Sequence, residues 1–330
     1  MQLRLLLNSG FTGANAFFAL GDAQGLFRAA GLDLHFSPGR GAWTAAARLA
    51  AGEFDLAYGD LNALVQLVAQ ADRQDLPRAI AAVHQHAPSV IAVPRNSLIR
   101  APRDLAGKRV LGHASDVALQ TFALFARAAG LAPGAVHIET SEGSMAELLQ
   151  EMLAGRCDAV FGYATTHSAA LAGAGLCVAN TVRFLAYRDL CPALYGSALM
   201  VSASLLRQQP KALRRLVQVL RSSVAAAQAH APDAIAAVLA RAPGMSAAVE
   251  AQRWQATLMA DIGLQAPPDR AWGRFDRGRL SRGMADLSRA CGWPRVPLVS
   301  QVVDNRFVAR VLPLAPHPEK STSRTRSVLT

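Results

Sequence analysis

The sequence predicts an α/β protein with two similar lobes, each built on a mainly parallel sheet. Apolar runs with the length of buried parallel strands alternate with helical patterns through the N-terminal part of the chain. A β-α-β-α-β block of this kind at 3–60 recurs at 108–163. With 330 residues, of which 52% are hydrophobic and 17% charged, the chain can bury a core in each lobe.

Two motifs carry the repeat. Residues 28–32 (RAAGL) return letter for letter at 127–131, and residues 51–60 (AGEFDLAYGD) match 154–163 (AGRCDAVFGY). The residues that keep their places in the second motif are Gly52, Asp55 and Gly59 in the first copy and Gly155, Asp158 and Gly162 in the later one. The copies differ in their exit residue, which is Asp60 in one and Tyr163 in the other. We therefore expect lobes that share a topology and diverge where the third strand of each ends.

The first copy is predicted to contain strands at 3–7, 32–37 and 54–58 and helices at 16–30 and 43–51. Gly31 is a typical residue after a helix C-terminus, and Asp60 is a good N-cap for a helix that opens at 59–62. Strands at 80–84 and 90–94 then cross toward the second lobe.

The second copy continues this order, and the C-terminal third is helical. A strand follows the turn in 103–112, helices are predicted at 113–129, at 144–153 and from 164 onward, and a strand at 198–201 returns to the first lobe. Further helices are predicted at 205–230, 232–242, 246–262, 269–290 and 302–311. The polar, proline-containing residues 313–330 are predicted to be a disordered tail.

The charge balance does not by itself identify a partner. Lys and Arg number 34 against 23 Asp and Glu, a formal charge of +11, with basic residues denser at 207–221 and 270–295. Both segments are interpreted as helices with solvated arginine faces, and no aromatic-interleaved patch predicts nucleic-acid binding. No apolar run is long enough to span a membrane. Because Met1 leads directly into the first strand, we expect a cytoplasmic protein or a mature chain whose signal peptide has been removed.

The sequence gives little support for a metal site, a cofactor site or a catalytic site. Cys157, Cys177, Cys191 and Cys291 lack metal-ligand spacing, and a Cys157–Cys177 or Cys177–Cys191 disulfide stays open. His84 and His86 have no third ligand nearby in the sequence, so no metal site is predicted. Nucleophile-elbow, HExxH, P-loop and GxGxxG motifs are missing from the sequence. His113 and His167 are interpreted as hydrogen-bonding residues rather than acid-base groups, and the prediction is a protein without cofactor or catalytic residues.

A ligand cleft is predicted where the strands of both copies end, because open parallel sheets bind ligands at their carboxyl edge. The rule gathers the loops 8–15, 38–43, 59–62, 113–116, 141–144 and 162–167. From them the predicted ligand-binding residues are Asn15, Gly41, Trp43, Asp60, Asn62, His113, Ser115, Asp116, Tyr163 and Thr165. Arg40 is the only permanent cation in these loops, so they favour a small neutral or amine-bearing ring over a dianion.

Four segments of the chain form a recognisable pattern: 17–33, 49–55, 104–110 and Asp304-Asn-Arg-Phe307. In these segments the sequence resembles the NMT1/THI5-like (SsuA/THI5-like) substrate-binding proteins of ABC importers. The resemblance implies a type II periplasmic-binding-protein fold, with two α/β lobes joined by two crossover strands and a cleft between them. The implied lobes are 1–92 with 197–312, and 93–196. The implied role is solute capture by a monomer in the periplasm or on the outer membrane face, for delivery to ABC permease subunits.

The resemblance also bears on the ligand. Gly162-Tyr163 and residues 192–195 are similar to positions of the branch that binds thiamine-precursor pyrimidines, which adds Tyr195 to the predicted ligand-binding residues. That branch carries an Asp-Trp pair where this chain has Asn8-Ser9, and an acidic residue where it has His167. Sulfonates, nitrate-like anions and aromatic acids therefore stay open. A THI5-type pyrimidine synthase is the enzyme alternative, and a LysR-type ligand sensor is a third class.

Overall fold

The computed structural model describes residues 1–72, 75–264, 268–269 and 271–308, which form two five-stranded sheets. The strands are β1 (Gln2–Leu6), β2 (Asp33–Ser37), β3 (Leu56–Asp60), β4 (Arg78–Ala82), β5 (Ser89–Pro94), β6 (Arg109–Gly112), β7 (His137–Thr140), β8 (Ala159–Tyr163), β9 (Val182–Ala186) and β10 (Ser197–Val201). Most of the predicted strands are present within a few residues of their expected bounds.

Helices cover the faces of both sheets. The α-helices are α1 (Ala16–Ala23), α2 (Leu26–Ala29), α3 (Ala45–Ala50), α4 (Leu61–Gln70), α5 (Val117–Gln120), α6 (Phe122–Ala128), α7 (Met145–Leu153), α8 (Ala164–Gly173), α9 (Val178–Thr181), α10 (Tyr187–Leu190), α11 (Ala203–Gln208), α12 (Pro210–Ala229), α13 (Ala231–Arg241), α14 (Ala247–Ala256), α15 (Arg277–Ala290) and α16 (Val299–Val302). A π-helical turn at Thr257–Ile262 and short 3-10 helices, among them Asn305–Phe307, complete the elements.

The two sheets have the same plan and exchange one strand each. The first sheet has the order β2-β1-β3-β10-β4 and the second the order β7-β6-β8-β5-β9. In each, the first three strands are parallel, and the fourth is antiparallel to both of its neighbours. That fourth strand arrives from the other lobe: β5 follows β4, and β10 follows β9. This is the predicted two-lobed architecture with two crossing segments, 83–88 and 187–196.

The first crossing comes earlier in the chain than the sequence predicts. All of β5 pairs in the second sheet, with Val90 opposite Ala186 and Gly162, so the predicted boundary between residues 92 and 93 falls inside a strand. Apolarity predicts a buried strand here but does not say to which sheet it belongs. On the return, β10 begins at Ser197 in the first sheet.

The sequence repeat has a direct structural cause. The amide of Arg4 donates to the Asp55 carboxylate at 2.8 Å, and the amide of Arg109 donates to the Asp158 carboxylate at 2.8 Å. The amides of the two aspartates donate in return to the Arg4 and Arg109 carbonyls, at 3.0 and 2.9 Å. The repeated aspartate therefore joins the start of the third strand to the first strand of each lobe.

Several predicted helices are divided by local chemistry. The helix expected at 16–30 is broken at Gly25, whose φ of 68° is incompatible with a continuing helix. The helix expected at 113–129 begins only at Val117 and is interrupted at Thr121, whose hydroxyl donates to the Val117 carbonyl at 2.7 Å. The helix expected at 205–230 is split at Gln209, because the residue before a proline avoids the helical region.

The C-terminal predictions need further correction. The helix expected at 269–290 begins at Arg277, where the Asp276 side chain accepts from the Arg279 amide and caps the helix. In place of one helix at 302–311, α16 ends at Val302 and a 3-10 helix follows. The predicted tail, 313–330, lies outside the described residues.

The first lobe has an apolar cluster on each face of its sheet. One cluster joins α1, α12 and α13 and includes the fully buried rings of Phe17, Phe18 and Tyr58. The other joins α3, α4 and α15. The second sheet is covered in the same way. Within the described residues, no helix is both long enough and apolar enough to cross a bilayer.

Candidate functional site

A cavity of about 420 Å³ lies between the lobes, where the parallel strands of both sheets end. Residues of the first lobe that line it are Asn8, Ser9, Arg40, Gly41 and Ala42, and those of the second are His113, Ser115, Asp116, Val117, Met145, Tyr163 and Thr166. Both walls are loops or helix starts at the carboxyl edge of a sheet, as predicted for this topology.

One hydrogen bond crosses from lobe to lobe beside the cavity. The Tyr163 hydroxyl donates to Asp60 Oδ2 at 3.3 Å. The other oxygen of Asp60 accepts from the Asn62 amide at 2.8 Å and from its side-chain nitrogen at 2.9 Å, which caps α4 and fixes the carboxylate. Burial raises the pKa of Asp60 to about 6, against the opposing effect of these bonds. Burial also raises the pKa of Tyr163 well above its usual value, so Tyr163 is a donor at neutral pH.

The loop at 38–44 forms the wall of the first lobe because glycines allow it to lie close to other backbone. A Cβ on Gly39 would lie 2.0 Å from the Leu7 carbonyl oxygen. Gly41 has a φ of 97°, and its amide donates to the Asn8 carbonyl at 2.9 Å. A Cβ on Gly41 would lie 3.2 Å from Ser115 Oγ in the other lobe. The two lobes therefore approach each other closely at this point.

The wall of the second lobe is built around the start of α5. Asp116 caps this helix by accepting from the Ala118 amide at 2.8 Å, and burial raises its pKa to about 6. His113 Nε2 lies 2.5 Å from the Gly143 carbonyl oxygen. Since a carbonyl can only accept, Nε2 is the donor in this contact. This wall therefore offers a carboxylate, an imidazole and the Ser115 hydroxyl.

The crossing segments are held together next to the site. Asn62 donates to the Tyr195 carbonyl at 3.0 Å, and the Tyr195 hydroxyl accepts from the Asp276 amide at 2.8 Å. The Arg279 guanidinium lies 4.0 Å over the Tyr195 ring and donates to the carbonyls of Gln85 (2.6 Å) and Leu194 (2.7 Å), one in each crossing segment. A series of contacts therefore leads from Asp60 through Asn62 to the two crossing segments, which together we call the hinge.

The structure brings together only part of the predicted residue set. Gly41, His113, Ser115, Asp116 and Tyr163 line the cavity, and Asp60 reaches it through Tyr163. The others have structural positions. Asn15 is fully buried and closes its own loop with bonds to Thr12 and Gly10, Trp43 packs on the core of the first lobe, Asn62 and Tyr195 belong to the hinge network, and Thr165 is buried in α8.

Sequence reasoning did not single out Asn8, Ser9, Ala42, Val117, Met145 and Thr166 as ligand-binding residues, although most lie in or next to the predicted loops. Arg40 was noted as a cation only. The position of these residues in or next to the predicted loops was the signal in the sequence that could have identified them. Thr166 lines the cavity, whereas its neighbour Thr165 is buried, because the first turn of α8 directs the Thr165 side chain into the lobe.

His167 lies behind the wall of the second lobe. It is fully buried, and neither ring nitrogen has a hydrogen-bond partner among the described residues. A Cβ on Gly162 would lie 2.6 Å from His167 Nε2 and 3.0 Å from Met145 Cε, so the glycine makes room for the ring. Burial lowers the pKa of His167 to about 3, and the ring is neutral at pH 7.

The paired histidines of the first crossing segment are not arranged as ligands. His84 Nε2 lies 2.8 Å from the Tyr58 hydroxyl inside the first lobe, while His86 is exposed and lies beside Gly263. In the part of the chain that the structure describes, no three His, Cys, Asp or Glu side chains converge as a metal site.

Comparisons with solved structures agree on the fold. The alkanesulfonate-binding protein SsuA from Xanthomonas axonopodis pv. citri, solved with MOPS, is 19% identical, with a TM-score of 0.69 over 92% of this chain and 98% of that one. The periplasmic aliphatic sulphonate binding protein SsuA from Escherichia coli is 17% identical, with a TM-score of 0.67 over 92% of each chain. The desulfurization enzyme DSZB, in a complex with biphenyl-2-sulfinic acid, is 17% identical, with a TM-score of 0.61 over 92% and 97%.

The structural neighbours therefore include periplasmic binding proteins and an enzyme, and at these identities they establish the type II periplasmic-binding-protein fold alone. A search among curated proteins finds no match to this chain. The model of one protein family, described as NMT1/THI5 like, matches residues 14–234. Since that match spans more than half of the sequence, the chain belongs to the NMT1/THI5-like family.

Proposed function

We propose that the protein is the solute-binding component of an ABC import system, which captures a small molecule by lobe closure and delivers it to membrane permease subunits. The observation that carries this proposal is the Tyr163–Asp60 hydrogen bond, which joins the lobes beside a cavity that both of them line. A solute can favour a closed arrangement only through contacts that it makes with both lobes at once. In this role the protein is a monomer and works on the periplasmic or extracellular face of the membrane; SsuA from Escherichia coli, which shares its fold, is periplasmic.

The lining favours a small ring that carries hydrogen-bond donors. Asp116 lies within the wall and Asp60 directly beside it, while the guanidinium group of Arg40 belongs to an exposed residue at the rim. A buried carboxylate binds an amine or amide donor well and repels a dianion. A thiamine-precursor-like pyrimidine is therefore our first candidate, and sulfonates and aromatic acids follow because Arg40 and the helix starts also offer donors.

Binding rather than catalysis is the function that we propose, although DSZB is an enzyme with this fold. The four cysteines lie away from the cavity: Cys157 in the core of the second lobe, Cys177 exposed before α9, and Cys191 and Cys291 in an apolar cluster beside the crossing segments. A THI5-type pyrimidine synthase is the alternative. Iron-dependent turnover of a pyrimidine precursor by the purified protein would replace our proposal with that one.

The test is a binding screen by calorimetry and thermal shift with pyrimidines, sulfonates and aromatic acids. We expect one class to bind and to raise Tm. In Asp116→Asn the affinity for an amine-bearing ligand should fall about tenfold or more, since a charge-assisted hydrogen bond is replaced by a neutral one. Glu142→Gln, which alters an exposed carboxylate outside the lining, is the matched control. Lack of a response to all three classes would remove the main support for transport.

A further inference from the structure

A second cavity lies in the first lobe, far from the ligand cleft. Its volume is about 440 Å³, and we call it the basic cavity; its lining residues are Arg214, Val217, Gln218, Arg221, Trp272, Arg306, Phe307 and Val308. The segment that carries Arg306 joins the sheet at Ala79, near the start of β4, through a bridge to Val303 and the Asp304 amide. The cavity is therefore near the amino ends of the parallel strands, whereas the solute cleft is at their carboxyl ends.

The cations of this cavity come from two elements that face each other. Arg214, Gln218 and Arg221 are four and seven residues apart on α12, so they share one face of the helix. Arg306 lies opposite, in the 3-10 helix. No carboxylate lines the cavity among the described residues, and neither Arg214 nor Arg221 forms an ion pair with any of them. Arg214 is exposed and Arg221 is partly exposed, which agrees with the solvated arginine face predicted for 207–221.

Two lining residues have well-defined positions: Arg306, which is held by an ion pair, and Trp272, which is largely buried. Asp304 accepts from Arg306 Nε (2.9 Å) and Nη2 (2.6 Å), which holds the guanidinium plane in one orientation. Trp272, which is only 7% exposed, forms part of the cavity wall.

We propose that the basic cavity binds a phosphate group, either as the free ion or as the headgroup of an anionic lipid. Guanidinium groups bind tetrahedral oxyanions through paired N–H donors. Arg214 and Arg221, which lack an ion pair among the described residues, and the remaining N–H groups of Arg306 favour a ligand with several acceptor oxygens, such as a phosphate. A second row of cations, from Arg78, Arg274 and Arg277, lines an adjoining cavity that shares Arg306 and extends the positive field outward.

The first experiment uses the whole chain with inorganic phosphate and pyrophosphate as probes, followed by calorimetry and tryptophan fluorescence. We expect binding that weakens at high salt. In the double variant Arg214→Gln/Arg221→Gln the affinity should fall about tenfold or more, because two charge-assisted contacts are lost. The matched control, Lys211→Gln/Arg215→Gln, removes the same charge from the same helix outside the cavity and should stay within about twofold. Trp272→Phe should remove the fluorescence change.

The second arm uses vesicles of phosphatidylglycerol and of phosphatidylcholine. A lipid headgroup is the source of the phosphate if the protein binds to the anionic vesicles alone. In that case the Arg214/Arg221 variant should lose this binding and the control variant should keep it. Binding of the free ions alone identifies the soluble source. Circular dichroism confirms that each variant is folded. If no probe binds, or if both double variants lose binding equally, the proposal is wrong, and neither result bears on solute binding in the cleft.

Discussion

Asp60 and Tyr163 hold the same position in the two copies of the repeat, and they are joined by a hydrogen bond of 3.3 Å from one lobe to the other. Each is the last residue of the third strand in its lobe and the residue before the following helix. The repeat brings the two strand ends face to face, and the difference between the copies supplies an acceptor on one side and a donor on the other.

Removing the Tyr163 hydroxyl should weaken lobe closure. In Tyr163→Phe we expect about a tenfold loss of solute affinity and a larger radius of gyration with ligand bound, because one hydrogen bond to a carboxylate is lost. Calorimetry and small-angle scattering measure the two effects. Tyr187→Phe is the matched control, because its hydroxyl donates to the Ala118 carbonyl within the second lobe; that variant should lose stability and keep its affinity. An equal effect of both variants on affinity would contradict this role.

Arg279 should control how the lobes are joined. Arg279→Ala removes the donors to the Gln85 and Leu194 carbonyls and the stacking on Tyr195. Because two partly buried carbonyls lose a charged donor, we expect a loss of about 2–4 kcal/mol in the free energy of unfolding and a more open ligand-free form. Denaturant titration and scattering are the measurements, with the exposed Arg282→Ala on the same helix as control. A variant as stable and as compact as the wild type would refute the hinge network.

Asp261 should make the protein less stable as the pH rises. It is 3% exposed, and burial raises its pKa to about 7, against an opposing effect of Arg188. The carboxyl titrates near about 4 in the unfolded chain, so its contribution to stability is full below that pH and is lost as the pH rises through 7. Asp261→Asn should therefore be more stable than the wild type at pH 8 by about 1 kcal/mol or more, and the gain should shrink toward pH 5.

This pH dependence is measured as a difference between variant and wild type in denaturant titrations from pH 5 to 8. His84 and His167, whose pKa values burial lowers to about 3, act in the opposite direction, and their contribution cancels in the difference. Glu142→Gln, at an exposed site, is the control. A gain that does not change with pH would show that Asp261 titrates normally.

Gly162 and His167 should be coupled in stability. In Gly162→Ala the new Cβ meets His167 Nε2 at 2.6 Å, and the ring lacks space to move in a packed lobe. We expect a loss of about 1–3 kcal/mol in the free energy of unfolding. A double-mutant cycle with His167→Ala should recover part of that loss, since the smaller side chain removes the clash. Strictly additive losses would mean that the two residues are not in contact.

The repeat and the position of the cleft could be predicted from the sequence, because both depend on local patterns. Strand length, the glycine after each helix and the repeated aspartate are readable in a single chain, and topology then puts the loops at one edge. Asn15 and Trp43 were predicted for the site for the same reason but do not line the cavity, because a loop residue can point inward as well as outward. Helix divisions at Gly25, Thr121 and Gln209 needed side-chain geometry that periodicity does not contain.

By itself the sequence determined the fold class, the two-lobed repeat and the equivalent positions of Asp60 and Tyr163 in the two copies. Only the tertiary structure decided which sheet contains β5 and which contains β10, which loop residues face the cavity, and how Arg279 joins the two crossing segments. Its two carbonyl partners, Gln85 and Leu194, are 194 and 85 residues away from it in the sequence. The physical reason is the range of the interactions. Propensity, capping and apolar periodicity act over a few residues, whereas strand exchange, burial and the contacts of a guanidinium depend on chain segments that meet only after folding.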